Sequence, residues 1–120
     1  MAAEIVSFRM LPAPQQSAPV DGRVLAGNPR QTIWNVFSDA QGQFHAGKWA
    51  SSPGRWRVRY TEIEFCYLLS GQVVIESQSG VRHEFRAGDA FVIPQGFSGI
   101  WDVQAPTEKL YVIFEAPFAN

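Results

Sequence analysis

Glu64 is the side chain whose neighbours best equip it for chemistry. Upstream of it Trp56, Val58 and Tyr60 alternate with Arg55, Arg57 and Arg59. If the strand runs on without a bulge, a two-residue period places Val58, Tyr60, Glu64, Cys66 and Leu68 on one face. Lys109 is the nearest candidate cation for Glu64. It shares a strand face with Tyr111, while the opposite face, Leu110, Val112 and Phe114, reads as the more buried of the two. A transition-metal site needs three or four N, O or S donors converging on the ion. Glu64 with Cys66 supplies two, and the only histidines, His45 and His83, lie elsewhere and read as satisfied core residues. No tightly held metal is therefore expected. Cys66 reads as a packed thiol, because no histidine close in sequence could make it a thiolate.

The elements that must position these groups are short and β-like. Regular strands are expected at 32–37, 44–49, 55–60, 64–69, 72–76, 81–85, 90–93, 98–103 and 109–115. The punctuation between them is turn chemistry: Ser70-Gly71, residues 77–80, Ala87-Gly88-Asp89, Pro94-Gln95-Gly96 and Ala105-Pro106. No segment sustains an apolar period of 3.6, which argues for an all-β sandwich or barrel rather than βαβ units. An antiparallel jelly-roll barrel removes most exposed edges and leaves an open mouth for a small ligand. Residues 1–30 carry Pro12, Pro14, Pro19 and Pro29 with little alternation. They read as an extended arm ahead of a barrel at 31–120, packing along a sheet edge or crossing to a partner subunit.

A chain of 120 residues has room for one domain and one core. Ten basic against eleven acidic residues leave a net charge of −1, which gives no footprint for nucleic acid or an anionic membrane. The three arginines at 55, 57 and 59 share one strand face and read as a solvated outer face or as partners in intersubunit ion pairs. One cysteine excludes an internal disulfide, and no apolar run suggests a signal peptide or membrane span, so a cytoplasmic setting is expected. Serine-hydrolase elbows, nucleotide loops and paired CxxC motifs are absent from the sequence.

Glu64 and Gly71 fit the glutamate and glycine of the first cupin motif, and Gly88, Pro94 and Gly96 fit the glycine, proline and glycine of the second. The chain thus resembles a cupin whose histidine positions hold Val58, Tyr60 and Gly99. Its likeness is to the small single-domain cupins related to ureidoglycine aminohydrolase and the ethanolamine-utilisation cupin. It runs over residues 45–115 through Gly47-Lys48-Trp49, Pro53-Gly54-Arg55-Trp56, Tyr60, Glu64, residues 68–71, Gly88 to Gly96 with Phe97, Trp101 and residues 109–113. The resemblance implies an antiparallel double-stranded β-helix, a jelly-roll barrel, with the Glu64 face lining its lumen.

A carboxylate enclosed there is either a neutral acid or a paired anion. The resemblance further implies a homodimer, formed through sheet edges or the arm, that binds a small polar metabolite, nitrogen-bearing or carboxylated, without a cofactor. In that reading Glu64 meets an amine or amide, Tyr60 and Tyr111 donate to a carbonyl, Lys109 holds a carboxylate, and Trp101 walls the pocket near its mouth. Two other readings stand beside it. In one, the chain is an enzyme with Glu64 as general acid or base, assisted by Lys109, on a ureido or amino group. In the other, Glu64, Tyr60 and Lys109 fix the barrel register in a structural or partner-binding dimer.

Overall fold

The structure, a computed structural model, describes residues 3–116. Among them are nine strands and one 3-10 turn at Asp21–Arg23. The strands are β1 (Gln15–Ser17), β2 (Val24–Gly27), β3 (Gln31–Ser38), β4 (Phe44–Ser51), β5 (Gly54–Arg59), β6 (Ile63–Ser77), β7 (Arg82–Arg86), β8 (Ala90–Ile93) and β9 (Ser98–Phe114). Every pairing is antiparallel. The order β1-β3-β4-β9-β5-β2 is completed by β6, which pairs with β7, β8 and β9. The expected all-β jelly-roll architecture is present. Among the described residues no helix is long and apolar enough to cross a membrane.

Two long strands hold the barrel together. The last half of β9 pairs with β4 and with the start of β6, whereas its first half pairs with β5 and with the end of β6. The sequence breaks the same path into four short strands, at Ser70-Gly71 and at Ala105-Pro106. Both breaks are corners inside continuous strands, and the β6–β9 register shifts between Leu68 and Val73. Gly71 adopts φ +97°, and a Cβ there would strike Thr107 Oγ1 and come within 2.6 Å of the Pro106 carbonyl oxygen. Thr107 Oγ1 donates to the Ala105 carbonyl at 2.8 Å and accepts the Gln72 N–H at 3.3 Å, which satisfies backbone groups that the bend removes from the ladder.

Residues 3–14 form no strand, and their apolar side chains are uncovered, Ile5 at 96% and Met10 at 85% exposed. Two later segments of the expected arm lie along sheet edges. β1 extends the sheet beside β3 and β2 caps the β5 edge. These strands are recruited by edge hydrogen bonding rather than by side-chain alternation, so a period-two reading passes over them.

The core lies between the two halves of the curled sheet and gathers Trp49, Trp56, Cys66, Leu68, Val73, Ile75, Ile93, Trp101, Val103 and Tyr111. The face of β9 that enters the barrel, which its sequence pattern leaves open, is decided here. Lys109 and Tyr111 face inward, while Leu110 and Val112 point outward and Phe114 is 40% exposed. Pairing fixes this: Leu68 is opposite Lys109 and Cys66 opposite Tyr111, and both β6 side chains are fully buried.

Replacing Gly71 by Ala should cost about 3 kcal/mol through the positive φ and the backbone overlap, read as a lower midpoint in urea unfolding with an unchanged slope.

Candidate functional site

A cavity of about 610 Å³ opens into the barrel. Glu64, Lys109, Tyr111 and Trp101 line its depth, Trp49, Trp56, Ile33 and Val58 its walls, and Arg23, Arg57, Arg59 and Glu62 border it. Alternation along β5 turns Trp56 and Val58 inward and sets Arg57 and Arg59 on the outer side, where their side chains are exposed. Arg55, on the same outer face, pairs with Glu76 of the same chain at 3.6 Å.

The polar centre is a closed network. Tyr60 Oη donates to Glu64 Oε1 at 2.9 Å, and Lys109 Nζ donates to Glu64 Oε2 at 2.8 Å. The ammonium also contacts Cys66 Sγ at 3.6 Å and stands 4.5 Å from the Trp49 ring centroid and 4.4 Å from that of Trp101. Burial opposes the charge on Lys109, but the adjacent Glu64 carboxylate outweighs it, and the net effect raises the Lys109 pKa. Burial, reinforced by Glu64, lifts the Tyr60 phenol well above its ordinary range. Burial likewise pushes the Cys66 thiol up to about 12, so this cysteine is no nucleophile near neutrality.

Tyr111 reaches a second set of partners. Its hydroxyl donates to Asn35 Oδ1 at 2.7 Å, and Asn35 Nδ2 donates to Ser38 Oγ at 2.8 Å. Gly47 makes this possible, because a Cβ there would lie 2.6 Å from the Tyr111 hydroxyl. Trp101 lines the cavity but is 1% exposed, so it belongs to the floor rather than the mouth. Its ring stacks with Trp56 at 6.3 Å and faces the Lys109 ammonium.

The five residues singled out in the sequence, Tyr60, Glu64, Trp101, Lys109 and Tyr111, thus meet in one cavity. Trp49, Asn35 and Gln31 also line it and carry no site role in the sequence reading. Asn35 does leave a trace there, as a poor strand former inside an otherwise β-branched and aromatic run. The histidines are surface or hairpin residues rather than core ones. His45 bonds Ser38 Oγ at 2.7 Å and the Gly42 carbonyl at 3.0 Å, and His83 lies exposed beside Phe85.

A cupin metal does not fit these residues. Among the described residues no group of three or more His, Cys, Asp or Glu is placed to hold an ion. Val58 and Gly99 are register partners, so two of the histidine positions face one another without a donor side chain. A Cβ at position 99 would strike the Glu76 carbonyl oxygen and come within 2.8 Å of the Phe97 ring, which closes that position to any side chain. The retained motif carboxylate, Glu64, is already neutralised by an ammonium.

Removing one member of that buried pair should be far worse than removing both. Glu64→Gln is expected to cost about 3 kcal/mol, and adding Lys109→Met to it should recover part of the loss, a double-mutant cycle read by urea unfolding.

Comparison with known proteins agrees with this geometry. Residues 38–111 match the model of the EutQ-like cupin domain family. A search of curated proteins finds no match. Among solved structures, a protein of unknown function from Pseudomonas syringae pv. tomato superposes with a TM-score of 0.79 at 23% identity, over 90% of this chain and 46% of that one. This chain therefore spans under half of that relative's length. A putative ethanolamine utilization protein Q from Salmonella typhimurium gives a TM-score of 0.64 at 20% identity, over 72% of this chain and 71% of that one. A predicted oxalate decarboxylase from Thermotoga maritima gives 0.70 at 17%, over 94% of this chain and 100% of that one. Likenesses at these identities establish the fold, and with the family match they show that the chain belongs to the EutQ-like cupin domain family.

Proposed function

We propose that this chain is a cupin that binds a small polar metabolite inside its barrel. The observation that carries the reading is the cavity of about 610 Å³, walled by tryptophans and floored by the Tyr60–Glu64–Lys109 network. Ligand pockets have this size and this mixture of apolar wall and few convergent polar groups. Binding is favoured over acid–base catalysis by Glu64, because the carboxylate is already committed to an ammonium and a phenol hydroxyl of the same chain. The free, buried thiol of Cys66 supports a reducing, cytoplasmic setting.

The same reading takes the protein as a homodimer, and the outer sheet face supports this better than the sheet edges do. Ile63, Phe65, Tyr67 and Leu69 of β6 are 39%, 43%, 37% and 40% exposed, beside Val92 of β8 at 58% and Phe114 of β9 at 40%. The register sets Phe65 between Val92 and Val112 and puts Ile63 opposite Phe114, giving one continuous apolar patch. These positions carry no charged side chain, so a second copy related by a twofold axis meets no like charge there.

A thermal-shift screen of ureido compounds, amino acids, carboxylates and polyols should yield at least one stabilising ligand, and a complete lack of stabilisation would count against binding. For the assembly, Phe65→Asp should convert a dimer to a monomer in sedimentation equilibrium. A monomeric unaltered chain would refute it.

A further inference from the structure

We infer that the Lys109 ammonium is the resident cation of this barrel, held beside the one metal-motif carboxylate that the chain retains, and that the cavity accordingly takes carboxylates with a flat apolar body and turns amines away. This rests on the ligand-binding reading above and narrows its ligand class.

Four groups enclose the ammonium: Glu64 Oε2 at 2.8 Å, Cys66 Sγ at 3.6 Å, and the faces of Trp49 and Trp101 at 4.5 and 4.4 Å. An anion on one side and two ring quadrupoles are what a bound cation requires, and here the chain supplies that cation itself. An incoming amine would have to share Glu64 with Tyr60 and Lys109, one on each oxygen, and it meets a like charge in a medium that screens poorly.

Free donors are available in the cavity. Glu64 and Cys66 take two of the three N–H bonds of the Lys109 ammonium and the two indole rings cover its sides, whereas the buried Trp101 Nε1–H, also in the cavity lining, has no hydrogen-bond partner among the described residues. Gln31 also lines it, 9% exposed, and no hydrogen bond reaches its amide among the described residues. Around the opening stand Arg23, Arg57 and Arg59 against Glu62, none of them in a salt bridge among the described residues. The internal pair is neutral, so the field at the opening is set by this excess of arginine and favours an anion. Trp49 and Trp56 give the ligand body flat apolar walls.

Benzoate and benzylamine, equal in size and opposite in charge, test this on the full chain near neutral pH by tryptophan fluorescence titration. Benzoate should bind at least about tenfold tighter. Any smaller preference, or the reverse, overturns the inference, as does binding of neither compound when the thermal-shift screen has found a stabiliser. A screen with no stabiliser at all defeats the binding reading instead, so the two failures are distinct. Lys109→Ala then vacates the seat. Ethylammonium should raise the melting temperature of this variant at concentrations that leave the unaltered chain unchanged, and equal responses overturn the resident-cation assignment. If the variant does not fold, the benzoate and benzylamine titration decides alone.

Discussion

The Glu64–Lys109 pair is the constraint around which the rest of the structure is arranged. Two opposite charges, both nearly removed from solvent, sit 2.8 Å apart at the depth of an aromatic barrel. Such a pair survives only where every other direction is also satisfied, because desolvation of each ion costs more than an imperfect partner returns. Tyr60 therefore closes the free side of the carboxylate, and Trp49 and Trp101 close the sides of the ammonium. Much of the tryptophan content of this small chain serves that one cation.

Reaching this arrangement requires that β6 and β9 lie in fixed register along both halves of the barrel, since Glu64 comes from one and Lys109 from the other. The corner at Gly71 and Thr107 makes that possible. A tight backbone approach lets both strands change direction together, and a single hydroxyl takes up the hydrogen bonds that the bend displaces. The motif glycine at position 71 is thus a packing requirement as much as a conformational one.

Much of this was legible in the residues. Alternation along residues 56–68 puts Tyr60, Glu64 and Cys66 on the face where they lie, and the cupin glycines and proline point to the barrel that encloses them. The inward face of β9 was not legible, for a physical reason: hydrophobicity reports a side chain's wish to leave water, and both faces of β9 meet apolar surroundings. Lys109 is buried because a carboxylate waits on the paired strand β6, which is a long-range fact invisible within one strand. The corners were misplaced for a similar reason. Ser70-Gly71 and Ala105-Pro106 carry turn chemistry, yet each bends a strand without ending it because the partner strand bends beside it.

Along β6, adjacent positions serve different masters. Residues 64, 66 and 68 are sealed inside, and residues 63, 65, 67 and 69 look outward. A substitution at an odd position alters how the molecule presents itself to its surroundings without touching the ionic centre, whereas one at an even position does the opposite. Stickiness and selectivity in this small barrel are therefore separately adjustable traits, written in interleaved letters on one stretch of chain.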